Sequence, residues 1–202
     1  PDPRRRGDPA HPRAPPSSPT RRPRVTGPRG PLPLPDRAVP TRVTAEAERA
    51  VVMGRPCRDV GVADVPGVVA GYLPVIDVTA EDVLAADPRY LTRAKGFDSF
   101  LVLGDRITLL PPTTELDAVT IRTRIDGELI AEGTVADMRY DPHALVAYHS
   151  RMMTLEAGDL IATGTPGAGA IRPGAVVTAE VEPIGAVRAP VVAHRPTEGR
   201  PL

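Results

Sequence analysis

The stretch Arg42-Val43-Thr44-Ala45-Glu46-Ala47-Glu48-Arg49-Ala50-Val51-Val52-Met53-Gly54 starts in alternation and ends in an unbroken apolar run before a glycine. Alternation marks a strand with one buried face, and a short apolar run closed by glycine marks a strand entering a core. Residues two apart on a strand share a face, so Glu46 and Glu48 point the same way. Two like charges so placed repel unless water screens them, or unless a proton or a cation sits between them. A solvated edge is the plain explanation of such a pair. The apolar run that follows argues against it, because a strand entering a core carries its neighbours in.

A second buried strand is expected over Tyr72 to Val78, and it carries Asp77 inside Leu73-Pro74-Val75-Ile76-Asp77-Val78. A buried acid is rare unless it is paired or binds a metal. Glu46, Glu48 and Asp77 together would form an all-oxygen, anionic site that suits a hard cation, Mg²⁺ with Mn²⁺ or Ca²⁺ as alternatives, over zinc. Cys57 and the four histidines show no zinc spacing.

Lys95, in Ala94-Lys95-Gly96-Phe97-Asp98, is the only lysine among the 25 basic residues. Lysine is a compact point charge, whereas arginine is a wide, permanently charged fork. Either Lys95 is a chance survivor of an arginine bias, or it stands where a guanidinium will not serve. In the second case it is the counter-charge on the substrate side, facing a carboxylate or a developing enolate oxygen. Gly164-Thr165-Pro166-Gly167-Ala168-Gly169 follows a strand and is either a plain connection or a loop whose amides hold an anionic group. No Gly-Lys-Ser/Thr follows it, so it is not a nucleotide-phosphate loop.

Around these residues the pattern is strand-heavy. Asp64 and Pro66 predict the start of a short helix ending near Gly71, and Thr79-Ala80-Glu81-Asp82 opens another that runs to Ala86 and stops at Pro88. Ala118 to Ile125 alternates, and Asp126-Gly127 predicts a hairpin turn into Glu128-Leu129-Ile130-Ala131. Asp141 and Pro142 begin a helix with Leu145, Tyr148, His149 and Met152 at helical spacing. Strands are expected at Leu160–Thr163, Val176–Val181 and Ala186–Val192. Strands without regular helix alternation indicate an α+β class rather than a doubly wound sheet.

Residues 1–40 hold half of the 26 prolines and few large apolar residues. Such a segment cannot offset the entropy of ordering, so residues 1–29 are expected to be a disordered Pro/Arg-rich tail, 30–193 the folded domain and 194–202 a flexible C-terminal tail. Arginine runs such as Arg4-Arg5-Arg6 leave a binding arm for RNA or acidic partners as a third reading of the tail. The 202 residues carry no formal net charge, which gives no global pointer to nucleic acid or a membrane surface. One cysteine excludes an internal disulfide, and no apolar run reaches the ~20 residues that span a bilayer. A cytoplasmic protein is the default expectation.

Several blocks in one order resemble the fumarylacetoacetate hydrolase family: Glu46-Ala47-Glu48-Arg49-Ala50-Val51-Val52-Met53-Gly54, Val69-Ala70-Gly71-Tyr72, Asp77-Val78-Thr79-Ala80-Glu81-Asp82, Ala94-Lys95-Gly96-Phe97-Asp98, and Met153-Thr154-Leu155-Glu156-Ala157-Gly158-Asp159-Leu160-Ile161-Ala162-Thr163-Gly164-Thr165-Pro166. The resemblance covers about residues 30 to 193. It implies a mixed β-roll or β-sandwich, a homodimer, and Mg²⁺ or a similar ion held by Glu46, Glu48 and Asp77. It also implies substrate-side roles for Lys95, as the catalytic lysine, and for Thr165. Members of the family cleave, decarboxylate or isomerise small 2-oxo and β-diketo acids, and the implied logic is a metal-stabilised enolate.

The chain departs from that pattern. A His and a Glu that serve the family's hydrolases and decarboxylases as a lid should precede about residue 30, where His11 is the only histidine and has no acidic partner at helical spacing. Glu81 stands where the family often has Arg, and Ile76 where it usually has Asn. The alternative is therefore a non-catalytic or truncated domain that folds and binds metal but lacks the lid.

Overall fold

The computed structural model describes residues 25–35, 42–89, 91–111 and 114–193. Its elements are β1 (Val25–Thr26), β2 (Leu32–Pro33), β3 (Val43–Met53), β4 (Val69–Ala80), α1 (Glu81–Ala86), α2 (Leu91–Lys95), β5 (Leu101–Leu103), β6 (Thr120–Ile125), β7 (Glu128–Thr134), α3 (Pro142–Met152), β8 (Leu160–Ala162), β9 (Ala168–Ala170), β10 (Val176–Glu182) and β11 (Gly185–Val192). They form two mixed sheets. One has the order β1-β5-β4-β3-β8 with β9 also paired to β3, and the other the order β2-β11-β10-β6-β7. The β1–β5 and β2–β11 pairs are parallel and the remaining pairs antiparallel. This is the α+β class with short helices, as the strand pattern predicts.

β3 pairs with three strands of the first sheet, β4, β8 and β9, and its sequence explains its burial. Val43, Ala45, Ala47, Val51 and Met53 lie in the main core, together with Ile76 and Val78 of β4, Ile121 of β6, and Val177 and Ala179 of β10. These residues bury one face of each sheet against the other. Ala50 and Val52 turn to the opposite face and pack with Leu73, Val75 and Leu101 in a second, smaller core. The alternation of β3 gives way to an apolar run where both of its faces become buried.

The long β3–β4 pair needs one local accommodation. Its register shifts between Val52 and Met53, beside Gly71, which has φ +149°. A Cβ at Gly71 would stand 2.7 Å from the Thr108 carbonyl oxygen, so only glycine permits this approach. Gly71 therefore lies inside β4 instead of ending a helix. The preceding helix is a 3-10 turn over Val62–Gly67, capped from Gly61 without a side-chain bond, and Asp64 sits in its first turn rather than at its cap.

The other local signals are realised. Asp126 and Gly127 have φ +54° and +86°, the pair of positive values that a tight hairpin turn requires. Asp141 Oδ1 accepts the Ala144 amide at 2.9 Å and caps α3. Leu145 and His149 are buried, but Met152 is 52% exposed, so the buried stripe of α3 runs through Val146 and Ser150 instead. β1 falls inside the expected tail 1–29: Val25 and Thr26 pair with Leu101 and Val102, because the edge of β5 offers them backbone partners. Of the expected tails, residues 1–24 and 194–202 lie outside the described residues, as does His11. No described helix is long and apolar enough to cross a membrane.

Candidate metal centre

The register of β3 against β4 places Glu46 directly opposite Asp77. Directly opposed residues of an antiparallel pair share a face, and Glu48 shares it by the period of two. The outcome is a cluster in which one carboxylate oxygen from each of Glu46, Glu48 and Asp77 lies within 4.8 Å of the others. Glu48 and Asp77 are buried, and Glu46 is half-buried.

Lys95 closes the cluster from the end of α2, where the fully buried Ala94 anchors the helix. Its Nζ donates to Glu46 Oε1 at 2.9 Å and to Asp77 Oδ2 at 2.6 Å. Glu48 has a different partner, the Gly164 amide, which donates to its Oε2 at 2.7 Å. That amide is positioned by the preceding residue: the Thr163 amide and hydroxyl both donate to the Arg49 carbonyl, at 3.0 and 2.9 Å. The backbone of β3 thus clamps the glycine-rich loop beside its own glutamate. The loop is more than a connection, since its residues Ala168–Ala170 form β9 and pair along β3 up to Glu46.

Thr165 follows Gly164, but its hydroxyl is engaged inside the loop. It donates to the Gly167 carbonyl and accepts from the Gly167 amide, both at 3.1 Å. Thr44, which the sequence does not single out, lies on the same face as Glu46 and donates to Glu81 Oε1 at 2.7 Å. The Glu81 charge in turn bears on Glu46. A broad groove lined by Pro31, Pro33, Pro35, Gly96, Phe97 and Asp98 begins one residue beyond Lys95 and includes none of the three carboxylates.

Electrostatics follow from this crowding. Burial raises the pKa of Glu46 above its usual value, and the Lys95 ammonium only partly opposes it. Glu48 is pushed up to about 8, first by burial and then by the Asp77 and Glu46 charges, against the Gly164 amide and Lys95. Burial works to lower the pKa of Lys95, but Asp77 and Glu46 outweigh it and the net shift is upward. Three carboxylates face one ammonium, so full ionisation leaves an excess negative charge that one divalent cation balances. A set of oxygen donors with that charge fits a hard cation, which would take the place of the proton on Glu48.

The opposite face of β3 holds a charge of another kind. Arg49 is fully buried, and none of its guanidinium nitrogens has a hydrogen-bond partner among the described residues. It lies over the Tyr72 ring, 5.3 Å from the centroid, and Tyr72 Oη is 3.0 Å from His143 Nε2. Burial lowers the Arg49 pKa to about 10, while Tyr72 and Asp141 act the other way. Arg49 is not marked out by the sequence, because an arginine in a strand is ordinarily a surface residue.

Comparison with known proteins agrees with this geometry. The profile of the family described as "Fumarylacetoacetate (FAA) hydrolase C-terminal" matches residues 5–192. A 4-hydroxyphenylacetate degradation bifunctional isomerase/decarboxylase of Escherichia coli is 39% identical over 141 residues, 69% of this chain and 33% of the relative. The structure of a 5-carboxymethyl-2-hydroxymuconate delta-isomerase from Mycobacterium smegmatis superposes with a TM-score of 0.78 and 37% identity, covering 86% of this chain and 67% of that one. A maleylpyruvate hydrolase from Sphingobium sp. SYK-6, in complex with manganese(II) and pyruvate, has a TM-score of 0.76 and 28% identity, covering 86% of this chain and 62% of that one. The chain spans 58% to 63% of the length of three further relatives. On this match of sequence, fold and residue pattern, the chain belongs to the fumarylacetoacetate hydrolase family.

Proposed function

We propose that this chain is the catalytic domain of a divalent-metal-dependent enzyme that hydrolyses, decarboxylates or isomerises a small 2-oxo or β-diketo acid. The observation that carries the reading is the convergence of Glu46, Glu48 and Asp77, with Lys95 bonded to two of them. In this reading the three carboxylates hold Mg²⁺, or Mn²⁺ as the Sphingobium relative's complex suggests. The cation would supply Lewis acidity toward the oxygens of a 2-oxo acid.

The chain's own residues divide the remaining work. Lys95 is the cation bonded to the carboxylates and offers its charge to the substrate carboxylate, or to negative charge developing on a substrate oxygen. The clamped Thr163-Gly164 step fixes Glu48, and Thr165 on the adjoining loop would serve as the substrate-side hydroxyl by exchanging its bonds to Gly167 for the substrate. Decarboxylation leaves an enolate that this charge stabilises and solvent can protonate, and isomerisation needs in addition a group or solvent to take a proton from one carbon and return one to another. Hydrolysis needs in addition a base to activate water. The working unit is proposed to be a homodimer, which light scattering on the purified chain would test.

The test of function is turnover of oxaloacetate and of an acylpyruvate with Mg²⁺ or Mn²⁺ added after chelation. Metal-dependent turnover of either, lost in Glu48→Gln, supports the reading. Metal binding with no turnover of either substrate would support the alternative, a non-catalytic member of the family.

A further inference from the structure

The loop that brings the Gly164 amide to Glu48 interrupts the edge of its own sheet. β9 pairs with β3 as far as Ala168 and Glu46, and β8 pairs with it from Ala162 and Ala50 onward. In the gap between them Thr163 takes the Arg49 carbonyl, and the Ala47 amide finds its partner in the other sheet. That amide donates to Thr123 Oγ1 of β6 at 2.9 Å. Thr123 is fully buried, and the same hydroxyl donates to the Gly167 carbonyl at 3.0 Å. One oxygen therefore joins the loop to β3 at the residue between Glu46 and Glu48. The loop also lies close on the β6–β7 hairpin: a Cβ at Gly169 would stand 2.9 Å from Ile130 Cγ2, and one at Gly167 3.0 Å from the Ala131 Cβ. Such apolar contact limits how near the loop comes, whereas a hydrogen bond adds direction.

We propose that Thr123 is a positioning residue of the metal centre, its hydroxyl setting the glycine-rich loop against β3 so that the Gly164 amide meets Glu48. The proposal rests on the metal reading above and extends the site to the second sheet. A valine would fill the same space and leave the Ala47 amide without a partner in the core, so the hydroxyl carries the role, not the shape. The arrangement also bears on Thr165, which bonds the same Gly167 carbonyl at 3.1 Å. When Thr165 turns to a substrate, Thr123 still donates to that carbonyl and the loop keeps its anchor.

The test compares Thr123→Val, Thr123→Ser and Thr108→Val with wild type, each as the full chain. Thermal unfolding is measured first, then Mn²⁺ binding from the electron paramagnetic resonance signal of free Mn²⁺, at a temperature where every variant is folded. Thr108 is the control, since its hydroxyl donates to the Ile184 carbonyl at 2.9 Å instead of to the loop. Both valine variants should lower Tm, but only Thr123→Val should weaken Mn²⁺ binding, by about tenfold. Thr123→Ser keeps the hydroxyl and should bind as wild type does. A lowered Tm with wild-type Mn²⁺ binding in Thr123→Val would overturn the proposal, as would an equal loss of binding in either of the other variants. Should Thr123→Val fail to fold, Thr123→Cys, a weaker donor and acceptor, takes its place: weakened binding supports the proposal and unchanged binding overturns it. If wild type itself binds no Mn²⁺, the metal reading falls and the proposal with it. That result is distinct from wild-type binding by Thr123→Val, which overturns the proposal alone.

Discussion

β3 carries a buried charge on each of its faces, and the two are treated in opposite ways. On one face Glu46 and Glu48 gather Asp77, Lys95 and the Gly164 amide around them. On the other, one residue along, Arg49 is buried against the Tyr72 ring with no hydrogen-bond partner among the described residues. The contrast separates two reasons for a charge in a core. The carboxylates form a set whose excess charge a ligand can cancel, while the guanidinium has no such complement and weighs against folding. A buried charge is informative about function when its neighbours are arranged to receive something.

The largest effect should come from breaking the partnered face. Glu48→Gln keeps the shape but loses one anionic donor, and metal-dependent activity should fall at least about a hundredfold. Steady-state turnover across a metal titration measures this, and activity within about threefold of wild type would remove Glu48 from the site.

Breaking the unpartnered face should have the opposite sign. Arg49→Met substitutes an apolar chain for the orphaned guanidinium and should stabilise the fold by about 1–4 kcal/mol in denaturant unfolding. A loss of stability would mean that the guanidinium is better satisfied than its surroundings indicate. The same comparison can be sharpened through Asp141, which caps α3 and whose charge also favours Arg49. Asp141→Ala should cost about 1 kcal/mol for the cap, and less in the Arg49→Met background, where no guanidinium loses its field. Additive effects in that double-mutant cycle would uncouple the two residues.

The smallest effect concerns His149, buried on α3 with Nε2 unpartnered among the described residues. Burial lowers its pKa below the usual 6.5. Below pH 6.5 the unfolded chain then binds more protons than the folded one, so stability present at pH 7 is lost as the pH falls from the unfolded toward the folded value. Thermal unfolding from about pH 7 to about pH 5 should show a shallower decline for His149→Phe than for wild type. Parallel declines would assign the acid sensitivity to other groups, His143 among them, whose pKa burial also lowers.

These two faces are unequally legible in the sequence. The alternation of β3, the acid inside β4 and the single lysine follow rules of local spacing and composition, and they point to Glu46, Glu48, Asp77 and Lys95. The hairpin at Asp126-Gly127 and the cap at Asp141 are legible for the same reason, because each is decided within a few residues. What spacing cannot encode is registry between distant strands. The Glu46–Asp77 opposition, the Gly164 amide on Glu48 and the strand hidden in Ala168–Ala170 depend on contacts made across the chain. Gly71 misleads for a related reason: a glycine that reads as a helix stop is needed for the close approach of Thr108. Arg49 is the extreme case, since burial of an arginine runs against its type.

The most direct test of the central claim is the stoichiometry of Mn²⁺ binding to the chelator-treated chain, measured by electron paramagnetic resonance beside Glu48→Gln and Asp77→Asn. The account predicts one tightly bound Mn²⁺ per chain in wild type and loss of that binding in both variants. Mn²⁺ bound equally by all three proteins, or by none, would contradict it.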